Sequence, residues 1–567
     1  MGLVAGVVAL GPTLLHRGYV LSYDMVFVPR PPITDAVLGI DGSVPRAVPN
    51  DLVVAVLSRV LPGDVVQKTL LMAVFVLGAW GVARLTATRT AAVVAAVTFV
   101  WNPFVYERLV IGHWGFLLGY ALLPWVVAGG IVARRGGRPD VARLCLLVAV
   151  SGLAGSTPLV LATLTAVAVV SAPGQAVRRG HAVIWVMLTA VGSAAVWLVP
   201  ALTRAAGIPA DPAGVAAFAA KADTPLGVVP SVLGLGGIWN EAVWPEERHQ
   251  VVVAVAGLLF VLAALAVGAP RLARAWDGAG TGVLVAGGLG LLLALAGAVP
   301  GGESLLREVV VHVSGGGLLR DGQKFAALLG VPLAVSAGLM AEAARSQLGR
   351  AAVLVAVAPV VLLPSLAWGA GGRLAPVRYP DEWARARVVV DQAGGDVAVF
   401  PFRYYRRFAW NDDRVVLDPM PRFLPVEVVV NDDLPLTAVT VRGEDPRAAR
   451  IRAAVERGSD LSAALRKEGV ALVVVHVGEA DPDRTSDRLA GLPILFAGEQ
   501  LRVLSVPDVS PLARDHDPPW GLAVTGLTMV GAVVASGVPG AGSAATLRRR
   551  WHSAAEAAGP GRRRDSR

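Results

Sequence analysis

Asp24 is a solitary carboxylate in Leu21-Ser-Tyr-Asp-Met-Val-Phe-Val-Pro-Arg30, directly after the first apolar run of the chain. A carboxylate held just above a membrane surface is suited to taking a proton from a hydroxyl group, the work of a general base. His16, Arg17 and Tyr23 lie close to it in sequence. A second cluster is Trp101-Asn-Pro-Phe-Val-Tyr-Glu-Arg-Leu-Val-Ile-Gly-His-Trp114, in which Glu107, Arg108 and His113 close one apolar run and open the next. Ionisable groups at such depth are costly and are often functional. A third is Gly317-Leu-Leu-Arg-Asp-Gly-Gln-Lys-Phe325, with Asp321 between two cations. Arg320 and Lys324 are four apart, so a helix would set them on one face. Together they could hold a lipid phosphate, Arg through its planar fork and Lys as a point charge. The fourth is the loop 234–248, with Trp239, Asn240, Glu241 and Trp244.

Each feature also has a plainer explanation. A single Asp after a helix is commonly solvated or a cap. Glu107 and Arg108 could pair with each other, and His113 could make one interhelical hydrogen bond. Cations near a helix end snorkel to headgroups, and Trp101, Trp114 and Trp125 suit an aromatic belt as well as a platform for sugar rings. Several tempting motifs fail. Gly317-x4-Gly322 followed by Gln323-Lys324 lacks the Gly-Lys-Ser/Thr of a phosphate-binding loop, and no strand precedes it. Gly234-x-Gly236 is incomplete as a dinucleotide fingerprint, and neither His-Glu-x-x-His nor Gly-x-Ser-x-Gly occurs. The eight histidines are scattered, and the single Cys145 excludes an intrachain disulfide and any multi-cysteine zinc site. No metal site and no cofactor follow from these patterns.

The elements that must position these groups are membrane helices. The 567 residues are 54% hydrophobic and 16% charged, with a mean hydropathy of +0.60; soluble domains carry about 25% charged residues. Apolar runs near 2–16, 65–83, 90–107, 114–133, 140–156, 158–172, 182–201, 250–268, 280–299, 324–342, 350–369 and 519–538 predict about twelve spans of roughly 20 residues each. Residues 140–156 and 158–172 are split only by Ser156-Thr157-Pro158, a turn or a kink. The run 2–16 lacks a basic flank and a small-residue cleavage site, so it reads as a helix rather than a signal peptide.

With the N-terminus inside, every inner loop is basic: Arg84 and Arg89; Arg134, Arg135, Arg138 and Arg143; Arg178 and Arg179; Arg271 and Arg274; Arg345 and Arg350. The tail adds Arg548 to Arg550 and Arg562 to Arg564. This accounts for the net charge of +9 without nucleic acid, for which no aromatic-interleaved groove exists. The outer loops are then 17–64, 202–249, 300–323 and 371–517, which brings all four clusters to one side. Residues 51–59 read as a short helix lying along the interface. Segment 371–517 alternates helix-like stretches with Val-rich runs at 397–402, 426–430, 471–476 and 501–506, the pattern of a small α/β domain whose sheet is buried on both faces. The expected organisation is a membrane module 1–370, an extracytoplasmic α/β domain 371–517, a last helix 518–540 and a basic cytoplasmic tail 541–567. The Gly/Arg-rich end of that tail is expected to be disordered.

An outward Asp after the first membrane helix, an interfacial helix in the same loop, many spans and an outward C-terminal domain resemble the GT-C glycosyltransferases. The Trp101-to-Trp114 and Leu318-to-Phe325 stretches are similar to patterns in actinobacterial arabinofuranosyl- and mannosyltransferases of cell-envelope assembly. The likeness covers roughly 1–520 in layout. The chain departs from many GT-C enzymes in having Asp24 without an adjacent second acid. The resemblance implies a plasma-membrane enzyme that moves a sugar from a polyprenyl-phosphate donor to a glycan or glycolipid acceptor, with inversion and without a cofactor. Asp24 would be the base; Arg108, Arg320 and Lys324 would bind the donor phosphate, supported by Glu107, His113 and Asp321. Trp239, Tyr404, Tyr405 and Trp410 would contact the acceptor. Two other expectations stand beside it: a non-enzymatic flippase or exporter of lipid-linked sugars, and a structural subunit of an envelope-assembly complex. A transporter would be expected to show paired pseudo-symmetric halves, and no internal repeat is visible.

Overall fold

The computed structural model describes residues 1–42, 47–174, 179–203, 211–313, 315–436, 439–481, 484–510 and 519–537. The tail 541–567 lies outside them, as does Arg178 of the inner loops. Among the described residues, seven helices are long and apolar enough to cross a membrane: Gly63–Ala83, Arg89–Val110, Trp114–Ala133, Arg179–Leu202, Val251–Arg274, Ala279–Ala296 and Gly322–Leu362. Gly2–Leu15, Ser156–Ser171 and Trp520–Ser536 are shorter apolar helices. Arg138–Leu153 packs between them, against Trp114–Ala133 and Trp520–Ser536.

Two of the expected spans are not single regular helices. The run 90–107 breaks at Trp101, giving Arg89–Val100 and Pro103–Val110. Pro103 has no N–H to give to the carbonyl four residues earlier, that of Phe99. Asn102 Nδ2 donates to that oxygen at 2.8 Å, and the Tyr120 hydroxyl donates at 2.9 Å. Asn102 Oδ1 then accepts from Val105 N at 3.1 Å, capping the second helix with proline at its first position. The carbonyl that Pro103 leaves without its helical donor is thus satisfied where water is scarce. The run 350–369 is a 3-10 turn, Gly349–Ala356, a short helix, Val357–Leu362, and a left-handed stretch at Trp368, Gly369 and Ala370. Pro364 disfavours helical backbone at Leu363, whose φ is −141°. The doubtful pair at 140–172 is two helices, parted by Gly155 at φ +124°. Pro158 falls in the first turn of the second, where a missing N–H costs nothing.

Among the described residues the C-terminal region has nine strands: β1 Asp396–Phe400, β2 Tyr405–Arg407, β3 Val415–Leu417, β4 Val428–Val429, β5 Leu434–Pro435, β6 Thr440–Val441, β7 Val470–His476, β8 Ile494–Ala497 and β9 Leu501–Ser505. Five of them form one mixed sheet in the order β4-β1-β7-β9-β8, while β2-β3 and β5-β6 are small hairpins. β1 pairs in parallel with β4 and β7, and β9 runs antiparallel to both its neighbours. Helices Asp381–Ala393, Pro446–Glu456 and Leu461–Lys467 cover the sheet, so the central strands are buried on both faces as their unbroken Val runs require.

This region is joined to the first loop by backbone hydrogen bonds. Tyr19 and Val377 exchange N–H···O bonds of 2.8 and 2.9 Å. Tyr23 N donates to Val415 O at 2.7 Å, and Leu417 N donates to Tyr23 O at 2.8 Å, so the Asp24 segment extends the β2-β3 hairpin. On its other side the Gln67 amide satisfies both backbone groups of Val20, at 2.9 and 2.7 Å. The helix foreseen at 51–59 is Asn50–Leu57, and its Asp51 pairs with Arg422 at 2.9 Å.

Candidate active site

Asp24 sits at the tip of a tight turn. Ser22 and Met25 exchange backbone hydrogen bonds, and Tyr23 between them takes a positive φ of 45°, a conformation uncommon outside glycine. The turn is fixed to the end of helix Pro103–Val110: Ser22 Oγ donates to Val110 O at 2.7 Å, and Asp24 N to Ile111 O at 3.1 Å. Gly112 makes this approach possible. Its φ is +90°, and a Cβ there would lie 2.1 Å from Met25 N and 2.6 Å from Ser22 O.

The Asp24 carboxylate receives one donor on each oxygen. His113 Nε2 lies 3.0 Å from Oδ2, and the Tyr405 hydroxyl donates to Oδ1 at 2.5 Å. Arg108 NH1 lies 2.9 Å from His113 Nδ1. A guanidinium can only donate, so Nδ1 must be the acceptor, the proton resides on Nε2, and His113 donates it to Asp24. His113 is neutral in this arrangement. Burial pushes its pKa down, and the Arg108 and Lys324 charges push the same way, against the hydrogen bond it gives to Asp24. Burial alone would raise the Asp24 carboxyl, but His113, Tyr405 and Lys324 outweigh it and hold it below the usual carboxylate range. The side chain keeps 38% exposure, so it is ionised, oriented and still open.

Behind this pair, Arg108 is fully enclosed. It donates to Asp321 at 3.3 Å and to Gln323, and lies over the rings of Phe104 and Phe116 at 5.5 and 5.7 Å. Asp321 is also 3.1 Å from Lys324. Burial raises its carboxyl, but Lys324, Arg108 and His113 together bring it down to about 2. Glu107, the neighbour of Arg108, faces the other way and accepts from Gly237 N and Ile238 N at 3.1 and 3.2 Å. It anchors the loop 234–240, to which Gln323 adds a bond with Gly236 O at 3.0 Å.

Several expected roles change with this geometry. Arg108 has no surface for a lipid phosphate and instead reaches Asp24 through His113. Residues 320–324 do not form one α-helical face: 3-10 turns at Gly316–Leu319 and Gly322–Ala326 flank Asp321. Arg320 is consequently turned to Glu444, 3.3 Å away, and to the Phe218 ring at 5.3 Å, while Lys324 serves Asp321. Trp239 stacks edge-on with Phe218 at 5.1 Å. Trp410 belongs to a packed aromatic cluster with Tyr379, Trp383 and Phe408, at centroid distances of 5.0 to 5.4 Å, which occupies the faces an acceptor would need. Tyr405 contacts Asp24 directly, and Tyr404 lies edge-on to it at 5.3 Å. Gln323 was not singled out from sequence; its place between Asp321 and Lys324 in one short motif was the available signal. Among the described residues, no group of three His, Cys, Asp or Glu is placed to hold a metal ion.

No protein-family model matches the chain, and no curated protein matches it. Among solved structures it is similar to the arabinofuranosyltransferase AftD from mycobacteria, determined by single-particle cryo-EM, with a TM-score of 0.55 and 20% identity over 91% of this chain and 40% of that one. Two mutant structures of AftD align with a TM-score of 0.52 at 19% and 17% identity, over 89% and 91% of this chain. The chain therefore spans about two fifths of the length of that protein, and what the two share at this identity is the fold. The helical assembly with its C-terminal mixed sheet is an AftD-like membrane fold.

Proposed function

We propose that the chain is a membrane glycosyltransferase of GT-C type that moves a sugar from a polyprenyl-phosphate donor to a glycan or glycolipid acceptor at the outer face. The observation that carries this reading is Asp24, an ionised carboxylate fixed by two donors, open on one side and backed by the buried Arg108. Each carboxylate oxygen has a second lone pair, so an acceptor hydroxyl can bind without displacing His113 or Tyr405. As the acceptor oxygen bonds to the anomeric carbon, its proton passes to Asp24. The anomeric C–O bond to phosphate breaks on the opposite face, and its electron pair leaves with the polyprenyl phosphate. The sugar configuration inverts. Lys324, whose side chain is 26% exposed, is the cation of the motif best placed to meet charge growing on the phosphate. Arg108 and His113 act as positioning residues. The name of the AftD neighbour makes an arabinofuranose one candidate for the transferred sugar.

The basic inner loops favour placing Asp24 outside, where a lipid-linked donor can enter sideways from the bilayer. The test is transfer by purified protein given polyprenyl-phosphate arabinofuranose or mannose and a glycan acceptor. Asp24→Asn keeps the size and one of the two acceptor oxygens but removes the base, and is expected to lose about a thousand-fold or more in rate. Unchanged transfer removes Asp24 as the base. No transfer by the wild type with either donor favours a carrier of lipid-linked sugars instead.

A further inference from the structure

A cavity of about 490 Å³ opens between the first loop and the C-terminal region, and Asp24 is not part of its wall. One side comes from residues within 34–42 and 47–51, the other from residues within 404–432 and 445–450. Its volume is that of a small-molecule site, and its inner end abuts the proposed active site. Tyr404 and Leu417 form wall there. They flank the hairpin that presents the Tyr405 hydroxyl to Asp24, with Asp418 N donating to Tyr404 O at 2.9 Å and Leu417 N to Tyr23 O at 2.8 Å.

We propose that this cavity binds the neutral sugar units of an oligosaccharide chain, which makes it the acceptor subsite leading to Asp24. The lining chemistry selects the ligand class. Asp41, Asp51, Asp418, Glu427, Asp432 and Asp445 contribute six carboxylates, against the three guanidiniums of Arg422, Arg447 and Arg450. Each guanidinium already has a carboxylate: Arg422 has Asp51 at 2.9 Å, Arg447 has Asp396 at 2.7 Å and Arg450 has Glu468 at 2.8 Å through two bonds. An anionic phosphate would meet a net negative wall and would have to take a cation from an existing pair. Sugar hydroxyls suit the same wall, because they donate to carboxylates and accept from guanidinium N–H groups without adding charge. Tyr404 supplies an aromatic face, and Val37, Val48, Val426, Val428 and Val430 supply apolar surface for the C–H faces of the rings. The excess of acid thereby separates the two substrates: it admits a neutral acceptor and turns away the phosphate of the donor.

This inference rests on the transferase reading only for the word acceptor; binding is measured without transfer. The experiment is saturation-transfer NMR on the full-length protein in nanodiscs, with arabinofuranosyl and mannosyl tetrasaccharides and a sulfated tetrasaccharide as probes. The wild type is expected to give saturable binding of a neutral probe with a Kd of about 1 mM or tighter. Tyr404→Ala and the cavity-filling Val430→Trp are each expected to weaken it about ten-fold or more, and the sulfated probe to bind at least as much more weakly. Asp24→Asn is expected to leave binding intact. Loss of transfer in Asp24→Asn with unchanged binding in Val430→Trp overturns the subsite but not the transferase. Retained binding in a protein that transfers nothing overturns the transferase but not the subsite. Tighter binding of the sulfated probe, or no saturable binding of either neutral probe, overturns the proposal.

Discussion

Tyr405→Phe removes one hydroxyl from the candidate site and little else. The ring contacts to Tyr23, at 6.5 Å, and to Tyr404, at 5.3 Å, do not depend on the oxygen, so the hairpin should keep its place. What is lost is the 2.5 Å bond to Asp24 Oδ1. A hydrogen bond to a charged group contributes about 1.5–3 kcal/mol. Asp24 is 38% exposed, so water replaces part of the lost donor, and the low end, about 1.5 kcal/mol, applies. The sign follows from which form is favoured. Tyr405 helps to hold the folded-state pKa of Asp24 below its ordinary value, so its removal raises it. A base must be ionised, so transfer falls as pH drops through that pKa, and the acid limb should move to higher pH. At neutral pH both proteins are ionised, and the remaining loss, up to about ten-fold in kcat, comes from a carboxylate held by one donor instead of two. The assay is initial-rate sugar transfer between about pH 3 and 8 with a saturating donor. An acid limb that does not move, with the fold intact, refutes the assignment of Asp24 as the titrating base under Tyr405 control.

Three further outcomes are expected. Arg108→Met leaves Asp321, Gln323 and the Nδ1 of His113 without their shared donor; breaking a buried network of this kind costs about 3–5 kcal/mol, so thermal unfolding in detergent should occur many degrees lower, and Arg108→Lys should recover only part of the loss. Gly112→Ala strains a residue at φ +90° and drives a methyl into Met25 N and Ser22 O; it should cost more than about 1 kcal/mol and lower transfer by displacing the Asp24 turn, whereas Gly257→Ala, with open space around its Cβ, should do neither. The Asp321 carboxyl, held at about 2 in the folded protein, contributes roughly 2 kcal/mol that is fully present above its unfolded pKa of about 4 and is lost as pH falls through the folded value; melting temperature against pH should drop across that window, and Asp321→Asn should flatten the drop.

Much of the site is legible in the chain because ionisable groups stand out in an apolar background. Asp24, Arg108, His113, Asp321 and Lys324 form one connected set, and each was distinguished by lying at the edge of an apolar run. Their roles were harder to read. Arg108 was expected to meet phosphate because an arginine at a helix end is usually accessible, but the kink at Asn102-Pro103 sets it in a sealed layer. Arg320 and Lys324 were paired on an α-helical spacing that the two 3-10 turns do not keep. The aromatic candidates divide by what they reach: Trp410 is packed within a closed ring cluster, whereas Tyr405 lies on a three-residue strand that meets the first loop edge to edge and presents its hydroxyl to Asp24. Such a short pairing has no periodicity to detect, and a sheet completed by residues nearly four hundred positions apart leaves no local mark. The Val-rich runs at 397–402 and 471–476 were recognisable because a strand buried on both faces has to be apolar throughout.

The span between Asp24 and Tyr405, 381 positions, also imposes an order in time. The acid is made early and its second donor late. A growing chain that has not yet produced the β2-β3 hairpin can fold its first helices and set His113 against Asp24, but the carboxylate remains half-tethered and the cavity wall beside it is missing. The site is thus incomplete until the chain has been made through the β2-β3 hairpin, so that products truncated before Tyr405 carry the acid in an incomplete setting.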